Sequence, residues 1–63
     1  MSAGARLREL RGGRTQQEVA AELGISKSAL AMYEQDKRTP RDKVKIKLAR
    51  FYGKTVQFIF YPE

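Results

Sequence analysis

Cysteine, histidine and tryptophan are all missing from this chain of 63 residues. Without cysteine there is no disulfide, and without histidine as well a zinc site would have to rest on carboxylates alone, which zinc rarely accepts. The same absences remove the usual nucleophile and general base, and the Glu18 and Glu22 pair is better explained as a solvated helix face. We therefore expect no enzyme, no catalytic residues, no metal and no cofactor.

Long apolar segments are absent as well. No stretch approaches the roughly 18 apolar residues of a membrane span, and the first residues lack the apolar run of a secretory signal. We expect a cytoplasmic protein that contacts no membrane and binds no small-molecule ligand. No linker rich in proline, glycine or serine divides the chain, so a single domain is predicted over residues 1–63, with a core that depends on packed helices or on a dimer.

Positive charge is distributed unevenly along the chain, whose net charge is +6. Residues 1–36 carry five basic and five acidic side chains, whereas residues 37–63 carry eight basic and two acidic ones. A surplus confined to one half suits a polyanion such as nucleic acid. A solvated lysine-rich helix explains the same surplus, and most of the basic residues beyond Pro40 are expected to act through solubility or long-range field.

The first half of the chain contains signals for two short helices. A helix is predicted over residues 3–11, where two leucines have helical spacing and a glycine pair follows. A second helix is predicted over residues 16–23, because Thr15 and Glu18 form a capping box before it and Gly24 follows it as a left-handed stop.

A third helix is predicted over residues 27–35, only three residues after the second one ends. Ser26 is a good N-cap for it, and Leu30 and Tyr33 have the spacing of an inward face. Two helices joined by so short a link, with a glycine in it, are typical of a helix-turn-helix unit.

The fourth helix is predicted to begin with Thr39 as its cap and Pro40 at its first position, and to end at Tyr52 before Gly53. Residues 43–48 alternate between polar and apolar, which is a strand signal. The capped start, the glycine stop and a length near twelve residues nevertheless favour a helix.

Residues 55–61 form an apolar segment that holds three of the chain's six aromatic residues. Its conformation is either a one-turn helix or a strand. Because it is too apolar to face water on a soluble monomer, we expect it to fill the core, to form a dimer, or both. The candidate dimer interface consists of Phe58, Phe60 and Tyr61.

Small and apolar residues recur at fixed positions through residues 16–35. A small residue stands at Ala20, a glycine at Gly24, and an aromatic-glutamate pair at Tyr33 and Glu34. Apolar residues fill the remaining positions at Val19, Leu23, Ile25 and Leu30. This pattern resembles the twenty-residue helix-turn-helix of the Cro/repressor superfamily, also called the XRE family. The resemblance extends over about residues 5–60 and implies an all-α fold, a compact lambda-repressor-like bundle of four to five short helices.

The resemblance implies that the N-terminal part of the third helix enters the major groove of double-stranded DNA. Donors, acceptors and methyl-packing groups on its outward side would then meet base edges. These base-reading candidates are Lys27, Ser28, Ala31 and Met32. Phosphate contacts are expected on either side of that helix, from Gln16, Ser26, Lys37 and Arg38.

The expected function is therefore a sequence-specific transcriptional regulator, a dimeric repressor that reads a palindromic operator. The half-site centres of such an operator should lie about 34 Å apart, one turn of B-DNA. The alternative is an antitoxin or another protein-binding module that keeps the DNA-binding core, because a fold alone does not fix a function. Antitoxins of this family usually need additional sequence, and only three residues follow Phe60.

Three positions depart from the family pattern or leave a choice open. Asp36 stands where the family often has glycine, so a left-handed residue is expected there and Asp36→Gly is expected to stabilise the fold. Arg14 stands where leucine is usual, as either an added phosphate contact or a plain surface arginine. The family's salt bridge suggests a partner for Glu34 at Arg8 or Arg11.

Overall fold

The computed structural model describes residues 1–62, which fold into five α-helices without a strand. The helices are α1 (Ala3–Arg11), α2 (Gln16–Leu23), α3 (Lys27–Glu34), α4 (Asp42–Tyr52) and α5 (Val56–Phe60). The bounds of α1 and α2 are those predicted from the sequence, and α3 ends one residue earlier than predicted. Of the helices in residues 1–62, none has the length and apolar character needed to cross a membrane.

Side-chain caps set the starts of α2 and α3. Thr15 and Glu18 form the predicted capping box, in which Thr15 Oγ1 accepts from the Glu18 amide at 3.0 Å and Glu18 Oε1 accepts from the Thr15 amide at 2.8 Å. Ser26 Oγ accepts from the amide of Ala29 at 3.0 Å. Each cap satisfies amides that a helix leaves without an internal partner, so both helices begin at defined residues.

The ends of α2, α3 and α4 share one geometry, a left-handed residue that reverses the chain. These residues are Gly24, Asp36 and Gly53, with φ of 70°, 59° and 67°. At the end of α2 the Ile25 amide then donates to the Ala20 carbonyl at 3.0 Å, which closes the turn. The left-handed conformation expected at Asp36 is confirmed.

The start of α4 differs from the prediction. Thr39 is not its cap and Pro40 is not its first residue, because the helix begins at Asp42 after Arg41 in an extended conformation. The amides that open the helix, including that of Val44 at 2.9 Å, donate to the Arg41 carbonyl. Pro40 is buried, so its ring anchors the preceding loop to the protein body and the helix starts only after this anchor.

The core takes side chains from all five helices and lies at their centre. Its buried apolar members are Leu7, Val19, Ala20, Leu23, Leu30, Tyr33, Leu48, Ala49 and Ile59. The apolar segment contributes Ile59, which is fully buried, and its conformation is a short helix capped by Thr55. Burial of one large aliphatic side chain is worth about 1.5–3 kcal/mol. Removing α5 would therefore open the core.

Lys45 explains why α4 alternates in sequence although it is a helix. Its side chain is only 9% exposed and turns inward with Leu48 and Ala49 at helical spacing, whereas the apolar Ile46 is exposed. The Lys45 ammonium donates to the hydroxyl of Tyr61 at 2.6 Å. This lysine is thus part of the packing, and not one of the solvated basic residues that the sequence led us to expect.

Candidate nucleic-acid interface

The third helix presents two chemically different faces. Its inward face is buried and consists of Leu30, Tyr33 and Glu34. Its outward face carries the base-reading candidates, of which Lys27, Ser28 and Met32 are exposed and Ala31 is half-buried. Because these residues are spaced i, i+1, i+4 and i+5, they lie together along one side of the helix. The structure therefore brings the four predicted residues together on one surface.

The turn between α2 and α3 sets the direction in which that surface points. Ala20 is 2% exposed, and its small side chain allows close packing of the two helices. Ile25, in the turn itself, is partly buried and packs against the core. Packing on both sides of Gly24 therefore leaves α3 little freedom to tilt.

Glu34 is the buried centre of a polar cluster behind this face. Its carboxylate accepts two hydrogen bonds from Arg11, at 2.8 Å from Nε and 3.0 Å from Nη2, and the side chain of Glu34 is fully buried. This bond raises the pKa of Arg11 above its already high ordinary value. The main-chain carbonyl of Glu34 accepts from Arg8 Nη1 at 2.8 Å. Both candidate arginines thus bind Glu34, and the carboxylate pairs with Arg11.

The four phosphate candidates occupy two places beside α3. On one side, Gln16 Nε2 donates to Glu34 Oε1 at 2.9 Å, and Ser26 caps the helix while keeping its own hydroxyl hydrogen free to donate. On the other side, Lys37 and Arg38 are exposed and pair with no carboxylate of residues 1–62.

A shallow depression links the starts of α2 and α3. Its lining includes Gln16, a predicted phosphate contact, and Lys27, a predicted base reader, together with Arg11, Thr15 and Gln17. The two kinds of candidate residue are therefore close to one another. Cationic and amide donors around a concave surface suit a phosphate group.

Arg14 is used by the protein itself. Its guanidinium donates to the carbonyls of Leu10 at 3.2 Å and Arg11 at 3.3 Å, which lie at the end of α1. It also lies over the rings of Phe51 and Tyr52, 5.1 and 5.4 Å from their centroids. Arg14 is thus an exposed residue that closes a helix end and packs on α4, and its contact with phosphate stays a prediction.

A contact between α1 and the end of α3 went unpredicted. The Gly4 amide donates to Asp36 Oδ1 at 2.9 Å, and a Cβ atom at Gly4 would lie 2.5 Å from the carbonyl oxygen of Glu34. Hydrogen bonds from Ser2 and from the Gly4 amide lower the pKa of Asp36. A glycine in the first turn of a helix was the available signal, since it permits close backbone approach. The contact fixes the chain just before Lys37.

The predicted dimer residues lie on and after α5. Phe58 is 42% and Tyr61 50% exposed, and Phe60 is half-buried against the core. The guanidinium of Arg6 lies 4.6 Å from the centroid of the Phe58 ring, and the Lys54 ammonium lies 5.3 Å from it. Cations that cover the ring faces reduce the apolar area that the monomer exposes, and the ring edges remain accessible.

Comparison with known proteins gives the family. The family model described as "Helix-turn-helix" matches residues 5–59, which is most of the chain. An uncharacterized HTH-type transcriptional regulator from Methanocaldococcus jannaschii is 35% identical over 49 residues, 78% of this chain and 74% of the relative. The matched region includes the whole of α2, the turn and α3. The chain belongs to the XRE family of helix-turn-helix DNA-binding proteins.

Proposed function

We propose that this protein is a dimeric transcriptional repressor that reads a palindromic operator with α3 in the major groove. The supporting observation is the outward face of α3, where Lys27, Ser28 and Met32 are exposed beside a partly exposed Ala31. Family membership and the regulator from Methanocaldococcus jannaschii support a role in transcription. In this role the protein binds DNA and catalyses no reaction. It acts in the compartment that contains the DNA.

Base recognition would use different chemistry at successive positions of α3. Lys27 can donate to O6 and N7 of guanine, and Ser28 can serve either a donor or an acceptor edge. Ala31 and Met32 can pack on the methyl group of thymine. A helix that offers one cation, one hydroxyl and two apolar groups selects a mixed half-site and not a homopolymer.

Backbone contacts would hold α3 in place from both sides. Gln16 begins α2, Ser26 caps the start of α3, and Lys37 and Arg38 follow the C-terminal end of α3. Such contacts fix register without reading sequence. Each phosphate neutralised by a cation should add about 0.9 to the slope of log affinity against log salt concentration.

Dimerisation would pair two copies through Phe58, Phe60 and Tyr61. The protomer measures 29 by 23 by 20 Å, so two copies in contact can place their α3 helices about 34 Å apart. Both helices then meet the same face of the duplex. A dimer bound in this way covers two successive major grooves, which blocks another protein from the same DNA.

The proposal is tested by selecting bound sequences from a random duplex library longer than two turns of B-DNA. We expect an inverted repeat whose half-sites are about 10–10.5 base pairs apart, centre to centre. The variant Lys27→Ala, selected in parallel, should lose the preference at one position of each half-site and keep the others. A single unrepeated site would contradict the dimer, and no enrichment at all would contradict sequence-specific binding.

A further inference from the structure

We propose that Glu34 is a positioning residue for DNA binding, because its buried carboxylate holds the amide of Gln16 in the orientation that donates to a phosphate. The inference rests on the proposed function and assigns Glu34 a part in it. The two side chains meet at 2.9 Å, from Gln16 Nε2 to Glu34 Oε1, although 18 positions separate them. Glu34 itself is buried and does not touch DNA.

Glu34 is a rigid support for this bond. Its side chain is fully buried, and the two bonds from Arg11 lie in the fork geometry that fixes a carboxylate in one plane. The Arg8 bond to its main-chain carbonyl further ties the residue to α1. The acceptor offered to Gln16 therefore has a single position.

The chemistry of the carboxylate then determines which way the Gln16 amide faces. An ionised carboxylate only accepts, so the NH₂ group of Gln16 must point at Glu34 and its carbonyl oxygen must point away. One hydrogen of that NH₂ group is used by Glu34, and the second remains available in the depression shared with Lys27. Gln16 is the first residue of α2, where the dipole and free amides of the helix also favour an anion.

Gln17, at the next position, carries the same side-chain amide without a hydrogen-bond partner in residues 1–62. It lines the same depression, but its side chain is exposed and donates to no atom of residues 1–62. A free glutamine side chain must lose rotamer freedom when it binds, whereas Gln16 has lost it on folding. The two glutamines therefore form a matched pair that differs in preorganisation.

The test compares Gln16→Ala in two backgrounds. Removing Glu34 alone would leave Arg11 unpaired, so both members of the pair are replaced by apolar residues in Arg11→Met/Glu34→Leu, a change that small domains often tolerate. The probe is one labelled duplex of fixed sequence, since phosphate contacts do not depend on sequence. Gln16→Ala should weaken binding about tenfold in the wild-type chain and less than about threefold in the double variant.

Gln17→Ala is the control and should have the same effect in both backgrounds. Equal effects of Gln16→Ala in the two backgrounds, or no effect in the wild-type chain, would overturn the positioning role while leaving DNA binding intact. Failure of the wild-type chain to bind any duplex would instead overturn the proposed function.

Side-chain relaxation of the free protein tests the same inference without a variant. The Gln16 amide should have an order parameter near that of rigid backbone, about 0.85, and the Gln17 amide a value below about 0.6. A purely structural role for the Arg11 and Glu34 pair does not require this difference. Equal mobility of the two amides would overturn the proposal.

Discussion

Asp36 accepts a hydrogen bond from the backbone amide of Gly4, with 2.9 Å between Oδ1 and the nitrogen, although the residues are 32 positions apart. The bond joins the end of α3 to the first turn of α1. It gives Asp36 a second role beside its left-handed turn. The sequence alone led us to expect that Asp36→Gly stabilises the fold, and the bond to Gly4 reverses that expectation.

We expect Asp36→Gly to lower the melting temperature and Asp36→Asn to lower it by less. Glycine removes the acceptor, whereas asparagine keeps an oxygen for Gly4 and tolerates positive φ. Thermal unfolding followed by circular dichroism ranks the melting temperatures of the wild-type protein and the two variants. A glycine variant that melts above both others would show that relief of the φ strain outweighs the lost bond.

Two carboxylates make the stability of the protein decrease at low pH. The hydrogen bonds from Ser2 and Gly4 lower the pKa of Asp36 below its ordinary 3.8, and bonds from Thr15 lower the pKa of Glu18 below 4.5. A group with a lowered folded-state pKa stabilises the fold fully above its unfolded pKa and loses this effect as pH falls through the folded value.

We therefore expect the free energy of unfolding to change little between about pH 5 and 8 and to fall below about pH 4, since the chain has no histidine to titrate in the upper range. Urea unfolding at constant ionic strength measures it. Asp36→Asn should flatten part of the acid limb. A protein that becomes more stable on acidification below pH 4 would contradict the assignment of both bonds.

Local signals allowed much of the fold to be predicted from the sequence. The capping box of Thr15 and the glycines Gly24 and Gly53 depend on a few adjacent residues, so they predict helix ends within a residue or so. The outward position of Lys27 follows from the same reasoning, because the period of α3 and its buried Leu30 determine which side faces out. The left-handed conformation at Asp36 was expected only from the family pattern.

Long-range contacts account for what the sequence missed. Helix α4 begins later than predicted, after the buried Pro40. The Lys45 side chain is buried and bonds to Tyr61, 16 positions away in the sequence. No residue adjacent to Pro40 or to Lys45 in the sequence indicates this burial. Likewise, the roles of Gly4 and Gln16 depend on their contacts with Glu34 at the end of α3, which is distant in the chain. Propensity and periodicity describe one element at a time and contain no information on such contacts.

Gly4 should not tolerate a side chain. A Cβ atom there would lie 2.5 Å from the Glu34 carbonyl oxygen and 2.8 Å from that of Tyr33, and backbone atoms cannot rotate away. We expect Gly4→Ala to cost about 1–3 kcal/mol of unfolding free energy, although alanine is the better helix former. The matched control is Gly13→Ala, because beyond Gly13 and its two chain neighbours no atom of the described chain lies within 4 Å of the added carbon. Equal stabilities of the two variants in urea unfolding would contradict the close approach.

The proposed dimer should depend on Phe58. Phe58→Lys adds a cation beside Arg6 and Lys54 and removes the exposed ring, so self-association should weaken through repulsion across the two-fold axis. Sedimentation velocity over a range of micromolar concentrations measures it. Ile46→Lys is the control, because Ile46 is an equally exposed apolar residue on α4. Dissociation by Ile46→Lys alone would place the interface on α4, and a wild-type monomer that binds DNA fully would remove the dimer.

The variants Lys27→Ala and Arg38→Ala should weaken DNA binding in different ways, because Lys27 is proposed to contact a base and Arg38 a phosphate. Both are exposed and unpaired within residues 1–62, so neither change should disturb the fold. Lys27→Ala should cost about 1–3 kcal/mol on the selected operator and far less when the contacted base pair is already changed. Arg38→Ala should weaken every duplex alike and lower the salt slope by about 0.9. Lys43→Ala removes the same charge from an exposed side chain of α4 and should do neither. An equal loss in all three variants would therefore mean that net charge alone governs binding.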